Sequence, residues 1–195
     1  MLAARSEPME RGHQERLAGM VRDTIAEASV SFDALDRIGV TVGPGSFTGL
    51  RVGLAFAKGL GLALNIPCVG VVTLEALAAS VTASGVVAAI IDARRGQLYL
   101  QLFRDGEPLA LPQALTPTEA QARLDDARGD PITLIGSGAA LLTQSHNTTI
   151  SDRLFPDPVA LARLTTSAAE PIANPEPIYL RAPDAKTIAE RAAAR

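Results

Sequence analysis

The chain is poor in residues that could carry out catalysis. It contains two histidines, His13 and His146, and one cysteine, Cys68. Two zinc-binding histidines on one helix face stand four residues apart, but Leu17 occupies the position four residues after His13. The spacing therefore predicts no metal site there. His146 lies in the polar stretch QSHNTT, which predicts a solvated loop. No nucleophile stands at a spacing that would pair it with a base, so we name no catalytic residue.

One carboxylate stands where functional groups are often found. Asp92 ends the apolar run VVAAIID, and Arg94 and Arg95 follow it closely. A carboxylate at the end of a strand is a frequent functional position. An ion pair within the turn explains the same residues equally well, so both interpretations remain open.

The loop GPGSFTG at 43–49 is the strongest local feature. It joins a predicted buried strand to a helix, where unpaired backbone N–H groups and the positive helix end favour anions. The candidate anion-binding residues are Gly43, Gly45, Ser46, Thr48 and Gly49. The loop is not a Walker loop, because Leu50 and Arg51 follow its last glycine in place of lysine and a hydroxyl residue. The alternative is a tight turn in which Ser46 or Thr48 caps the helix.

Small residues recur at four-residue steps along the helix after this loop. They are Gly49, Gly53, Ala57 and Gly61. Each glycine costs a helix about 1 kcal/mol relative to alanine, so we expect close approach of another backbone in compensation. That backbone belongs either to the chain's own sheet or to another chain. A second amphipathic helix is predicted over residues 13–29, and its apolar face completes a candidate partner interface with Leu17, Met20, Val21 and Thr24.

Strands and helices alternate in the first half of the chain. Buried strands are predicted at 38–43 and 66–72, with a helix between them that ends near Asn65 and another that starts near Thr73 as its cap. This order indicates crossover connections and a parallel sheet.

After Gly85 the pattern changes to an antiparallel meander. Strands are predicted at 86–93, 97–104 and near 108–115, and a further strand at 132–138. Helices are predicted at 118–127, capped by Thr118, and from Asp157-Pro158 to about residue 169. The proline-rich segment that follows is expected to be extended, and the last dozen residues to form an exposed tail.

Composition excludes several classes of protein. Apolar residues make up 47% of the 195 residues and charged residues 20%, which is typical of a globular chain. Acidic residues outnumber basic ones, 21 to 18, so we expect the chain alone to bind nucleic acid weakly. A single cysteine excludes an internal disulfide. No apolar run reaches the roughly 18 residues of a membrane span, and no secretory signal is apparent, so we expect a cytoplasmic protein.

Five stretches of the chain resemble the TsaB (YeaZ) family. They are GHQERL at 12–17, GPGSFTGLRVGLAFAKGLGLAL at 43–64, IPCVGVVTLEALA at 66–78, IDARRGQLY at 91–99 and PIYLR at 177–181. That family is the accessory subunit of the bacterial complex that makes threonylcarbamoyladenosine in tRNA, next to the anticodon. The resemblance implies an actin-like, ASKHA-type (ribonuclease H-like) α/β fold with two lobes and mixed sheets. The expected divisions are a first lobe at 1–84, a second lobe at 85–170, and a segment at 171–195 that returns to the first lobe and ends in the tail.

The resemblance also implies a non-catalytic role. Such a subunit binds a catalytic, TsaD-like paralogue, which transfers the threonylcarbamoyl group from its adenylate to tRNA adenosine, and it works beside a TsaE-like ATPase. The resemblance implies that ATP and metal are bound only by those partners, and that tRNA is bound only through the complex. It also allows a homodimer of this chain. The catalytic paralogue carries paired metal-binding histidines, of which this chain keeps only the first matching position, His13. The alternative is a stand-alone glycoprotease-like peptidase or an ASKHA-type ATPase.

The start of the chain departs from the family pattern. Family members begin with a strand that carries an Asp-Thr pair, followed by a second strand that forms a hairpin with it. Here the first residues, MLAARSE, resemble the third strand instead. We therefore expect an incomplete first lobe in which strand 38–43 lacks a neighbour, and no nucleotide binding by this subunit alone. Either two further strands are encoded in frame upstream of Met1, which is our prediction, or the protein covers that edge in another way.

Overall fold

The computed structural model describes residues 1–7, 12–127, 129–171 and 173–181. Within these ranges the strands form a two-stranded parallel sheet and a six-stranded mixed sheet. Helices pack on both sheets, so the α/β class predicted from the sequence is confirmed.

The first sheet consists of β1 (Ile38–Gly43) and β2 (Cys68–Val72), which run parallel with Ile38 opposite Cys68. Helix α2 (Phe47–Leu64) makes the crossover that a parallel pair requires. In the described part of the chain no strand pairs with the other edge of β1, as the sequence analysis expects.

The remaining helices of this half pack around the first sheet. They are α1 (His13–Glu27), α3 (Thr73–Ala78) and, from later in the chain, α5 (Pro158–Ser167). Val40 faces Gly53 of α2, whereas Gly39 faces Thr165 of α5. Because successive residues of a strand point to opposite faces, α2 and α5 lie on opposite faces of this sheet. Helix α1 contacts α2.

The second sheet contains six strands in the spatial order β5-β4-β3-β7-β8, and β6 also pairs with β4. Their bounds are β3 (Val86–Arg94), β4 (Gln97–Arg104), β5 (Glu107–Pro108), β6 (Gln113–Leu115), β7 (Ile132–Ile135) and β8 (Thr148–Ile150). Strands β3 and β4 are antiparallel, whereas β3–β7 and β7–β8 are parallel. The long predicted hairpin is therefore confirmed, and the sheet is mixed.

Strand β3 is the centre of the larger core. Its residues 86–90 are all buried. Val86, Ala88 and Ile90 point into a cluster that includes residues of α4 (Pro117–Asp126), whereas Val87 and Ala89 point into a cluster with α3. Burial on both faces explains why the strand reads as an unbroken apolar run rather than an alternating one.

Several predicted boundaries are wrong for local reasons. The single strand predicted near 108–115 is two short strands, since Pro108 and Pro112 lack the N–H group that a continuous ladder needs. The predicted extent of α1 to Ser29 is too long: the helix ends at Glu27, and Ser29 has φ +55°. Strand β8 was not predicted, because it follows a polar loop and is only three residues long.

Two of the predicted helix caps are also wrong. Thr116, not Thr118, caps α4: its Oγ1 accepts from the Glu119 N–H at 3.3 Å, and the Glu119 carboxylate accepts from the Thr116 N–H at 2.8 Å. Thr73 is the first residue of α3 rather than its cap, and its buried Oγ1 has no hydrogen-bond partner among the described residues. Asp157 does cap α5, as predicted, accepting from the Val159 N–H at 2.7 Å.

The first seven residues form no strand. The expectation that they correspond to the third strand of the family pattern is therefore wrong. Arg5 instead reaches α1, where its guanidinium lies 3.0 Å from the Glu27 carboxylate and 3.5 Å from that of Asp23. These exposed ion pairs hold the segment along the helix only weakly.

Candidate partner interface

The glycine loop is a tight turn, and some of its polar groups form hydrogen bonds within the chain. Ser46 Oγ accepts from the Gly49 N–H at 3.3 Å, so Ser46 caps α2. Gly43 has φ +111°, and a Cβ built there would lie 2.6 Å from the Ile178 carbonyl oxygen. The C-terminal segment therefore covers one side of the loop. Thr48 is exposed and Gly45 is half-buried. Anion binding by this loop stays a prediction.

The small-residue stripe of α2 faces the chain's own sheet. Ala57 and Gly61 are buried, and a Cβ at Gly61 would lie 3.1 Å from the Ile66 carbonyl oxygen. A Cβ at Gly53 would lie 3.9 Å from Val40. Burial of Ala57 and Gly61 within the chain, together with the close approach of the Ile66 backbone to Gly61, corrects the prediction that these two residues contact a partner. For Gly49 and Gly53 that contact stays a prediction.

The other side of α2 is not covered by the described residues, and it is apolar apart from Arg51. Only four of the 18 residues of this helix are buried: Leu50, Leu54, Ala57 and Gly61. We call the exposed residues on the other side the outer face of α2; they are Phe47, Arg51, Ala55, Gly59 and Leu62. Leu62 is 85% exposed, and no atom lies within 4 Å of a Cβ built at Gly59. Small residues flanked by large apolar ones form a surface that a second helix can approach closely.

By its length and composition alone, helix α2 is long and apolar enough to cross a membrane. This finding differs from the expectation that the chain has no such segment. The core helix of a soluble protein can have the same length and composition. Leu50 and Leu54 are buried in the protein, whereas most residues of the helix are not.

The residues of the predicted α1 face are partly covered, and helix α1 contacts α2. Leu17, Met20, Val21 and Thr24 are all half-buried, and Thr24 Oγ1 donates to the Met20 carbonyl at 2.7 Å. No α1 side chain that the structure describes is fully buried. The use of these α1 residues by a partner stays a prediction.

An aromatic and arginine cluster extends the outer face of α2 at the start of the helix. The rings of Phe47 and Tyr179 are 5.3 Å apart, and the guanidinium carbon of Arg51 lies 3.8 Å from the Phe47 ring centre. Arg51 Nε donates to the Tyr179 hydroxyl at 3.2 Å. Sequence reasoning missed this cluster because its members stand 128 residues apart.

The turn between β3 and β4 holds Asp92 and its arginines. The Asp92 carboxylate accepts from the Arg94 N–H at 2.8 Å and lies 3.5 Å from the Arg94 guanidinium. Arg94, Arg95 and Gly96 all have positive φ, at 63°, 54° and 71°. The interpretation of Asp92 as part of an ion pair within the turn is therefore confirmed.

No metal-binding cluster is found among the described side chains. The side chain of His13 lies outside the described part, so the absence of metal there stays a prediction. His146 is exposed. Burial raises the pKa of the Cys68 thiol, with Lys58 opposing the effect. A buried thiol with a raised pKa is a poor nucleophile.

Comparison with known proteins identifies the family. A family model described as TsaD, tRNA N6-adenosine threonylcarbamoyltransferase, matches residues 7–191. The Haemophilus influenzae protein named tRNA threonylcarbamoyladenosine biosynthesis protein TsaB is 30% identical, over 90% of this chain and 83% of that protein. The chain belongs to the TsaB (YeaZ) family. The crystal structure of an uncharacterized Pseudomonas aeruginosa protein with similarity to peptidase YeaZ superimposes with a TM-score of 0.73 at 29% identity, covering 88% of this chain and 85% of that one.

The expected actin-like, ASKHA-type α/β fold with mixed sheets is thereby confirmed. Another relative, an uncharacterized protein of Mycobacterium leprae, is 37% identical over 96% of this chain. The chain spans only about half of that relative, 49% of its length.

Proposed function

We propose that this chain is the non-catalytic subunit of a complex that makes threonylcarbamoyladenosine in tRNA. Its TsaB relatives are named for the biosynthesis of that nucleoside. In this proposal a TsaD-like paralogue transfers the threonylcarbamoyl group from its adenylate, a TsaE-like ATPase assists, and ATP and metal belong to those partners. The complex is cytoplasmic, and tRNA reaches this chain only within it.

The observation that carries the proposal is the uncovered outer face of α2. An 18-residue helix is about 27 Å long, which is enough to form the centre of a standard protein interface. Its exposed side carries Phe47 and Leu62 at the two ends, with Arg51 and the small residues Ala55 and Gly59 between them. That arrangement suits a helix of a related subunit better than it suits water. The half-buried residues of α1 would lie beside the same partner.

The scarcity of reactive groups supports a binding role. The whole chain holds two histidines and one cysteine, and the cysteine is buried. Asp92, the one carboxylate that the sequence places at a frequent functional position, accepts a hydrogen bond from Arg94 in the turn that follows it. The alternative of a stand-alone peptidase or ATPase needs a base and a nucleophile that this arrangement does not supply.

Reconstitution tests the proposal. The purified chain, its catalytic paralogue from the same cell, threonylcarbamoyl-adenylate and a tRNA transcript would be combined, and the modified adenosine measured by mass spectrometry. We expect product only when both proteins are present, and no hydrolysis of ATP or peptides by this chain alone. Equal product without this chain, or hydrolysis by the chain alone, would contradict the proposal.

A further inference from the structure

A groove lies at the C-terminal end of α2, between the helix and the segment that follows α5. Its volume is about 620 Å³, and its lining includes Lys58, Glu170 and Asn174. Gly59 and Leu62, two residues of the outer face of α2, line it as well. The groove is therefore continuous with the face that the proposed function assigns to the catalytic paralogue, and a partner that covers this face also reaches the groove.

We infer that the paralogue places a carboxylate in this groove, here the Lys58 groove, where it forms an ion pair with the Lys58 ammonium. The inference rests on the proposed function, because the occupant is the proposed partner. It adds a residue that determines which partner fits. The outer face of α2 offers mainly apolar contact, whereas Lys58 requires an acidic residue opposite it.

Lys58 has no negative partner within the described part of the chain. Glu170 lines the same groove, yet these two side chains form no ion pair, and no other described carboxylate pairs with Lys58. The positive charge acts instead on the Cys68 thiol, whose pKa is raised by burial and lowered by Lys58. Because Cys68 also lines the groove, the ammonium lies beside the space that a partner would fill.

The end of α2 does not account for this charge. The helix continues to Leu64, and its last turn contains no basic residue. The Asn65 N–H bonds to carbonyls of the last turn, and the Ile66 N–H donates to the Gly61 carbonyl at 3.0 Å. The chain thus closes the helix end with its own backbone, and no cation is needed there.

A partner on the outer face of α2 would make an unpaired Lys58 costly. Lys58 is half-buried in the chain alone, so water still reaches part of it. A helix that covers Gly59 and Leu62 removes some of this water, and a buried ammonium without a counter-charge is strongly unfavourable. A carboxylate on the partner offsets this cost and discriminates against partners that lack one.

The first test measures affinity for the paralogue by calorimetry at low and high salt. Lys58→Met keeps a long apolar stem but removes the charge, so it should weaken binding at least about tenfold and reduce its dependence on salt. Lys58→Arg keeps the charge and should restore most of the affinity. Arg163→Met removes an exposed positive charge from α5 and should bind like the wild type. Urea unfolding of all three variants alone should match the wild type.

The second test shows whether the groove is filled. Cys68 is the only cysteine of the chain, so Cys68→Ala gives a background without thiols. In that background Asn174→Cys places an exposed thiol at the groove. Its reaction with a maleimide, followed by mass spectrometry of this chain, should be several-fold slower in the complex. Ala122→Cys, at an exposed position of α4, should react equally fast with and without the paralogue.

Four results would overturn the inference. The first two are full affinity of Lys58→Met and equal labelling of Asn174→Cys with and without the paralogue. The third is a loss of affinity in Glu170→Gln as large as that in Lys58→Met, which would show that the chain's own carboxylate pairs with Lys58. The fourth is self-association of the chain that Lys58→Met abolishes, which would assign the groove to a second copy. Failure of the wild-type chain to bind the paralogue would instead overturn the proposed function.

Discussion

At the scale of single residues, Gly39 sets how closely α5 approaches the first sheet. A Cβ built at Gly39 would overlap the Thr165 hydroxyl and lie 2.9 Å from Thr165 Cβ. Thr165 is itself 5% exposed, and its hydroxyl donates to the Leu161 carbonyl at 2.8 Å. Neither side of the contact can move away easily, because one is a strand backbone and the other is bonded within its helix.

Gly39→Ala should therefore lower the free energy of unfolding by about 1–3 kcal/mol or more, as expected when atoms are forced into a packed site. Urea unfolding of the chain measures the change. The matched control is Gly19→Ala in α1, where a Cβ meets nothing within 4 Å and where alanine should be neutral or favourable by up to about 1 kcal/mol. Equal stability of the two variants would contradict the packing described for α5.

The carboxylate of Glu75 provides a test based on pH. Burial in the first turn of α3 raises its pKa above the usual 4.5, and a hydrogen bond from the Val72 backbone opposes the shift. Between the usual and the raised pKa, the folded chain binds more protons than the unfolded chain, so this group adds stability as pH falls through that window. At neutral pH the buried charge is a cost.

Glu75→Gln should thus raise the unfolding free energy at pH 7, and the gain should disappear as pH falls through the raised pKa toward the usual one. Urea titrations at several pH values measure this difference. A glutamine variant that is less stable at pH 7 would show that the bond between the Glu75 carboxylate and Val72 outweighs the burial of its charge.

At the scale of elements, Arg37 closes the end of α5. Its Nη1 donates to the carbonyls of Thr165 and Ala168, both at 3.0 Å, and to that of Thr166 at 3.4 Å. These carbonyls have no partner within the helix, and the helix dipole places negative charge there. The Arg37 side chain, which belongs to the residue just before β1, thus joins β1 to the end of α5.

Arg37→Met should cost about 1–2 kcal/mol of unfolding free energy, because it removes charged hydrogen bonds and leaves the carbonyls unpaired. Arg163→Met, on the exposed side of the same helix, should change stability by no more than about 0.5 kcal/mol. Thermal and urea unfolding of both variants compare them directly. A loss no larger for Arg37 than for Arg163 would mean that the contact contributes nothing measurable.

Sequence reasoning was most reliable for elements with a strong pattern. The bounds of β1 and β4 agree with the prediction because each is a continuous apolar or alternating run with turn residues at its ends. The cap of α4 was misplaced because Thr116 and Thr118 are both good caps, and only the pairing of Thr116 with Glu119 distinguishes them. The face of α2 that meets the sheet was not predictable, since periodic small residues allow close approach of any backbone.

At the scale of the whole molecule, residues 173–181 connect the two halves. The Ile178 N–H donates to the Val42 carbonyl at 2.7 Å in the first sheet, whereas Leu180 packs into the core of the second. Tyr179 reaches Arg51 across 128 residues of sequence. The prolines of this segment predict an extended chain. The residues that it contacts in the two sheets could not be predicted, because those contacts depend on the complete fold.

Binding of the catalytic paralogue by the outer face of α2 is tested most directly by the affinity of Gly59→Leu for that paralogue. Nothing lies within 4 Å of a Cβ at Gly59, and leucine favours a helix, so the isolated variant should be at least as stable as the wild type. On the outer face, however, the new side chain would hold an approaching helix away.

Isothermal titration calorimetry should therefore show binding weakened about tenfold or more, which corresponds to about 1.4 kcal/mol. The control Ala122→Leu, at an exposed position of α4, should bind like the wild type. A stably folded Gly59→Leu chain that binds the paralogue with full affinity would contradict the account.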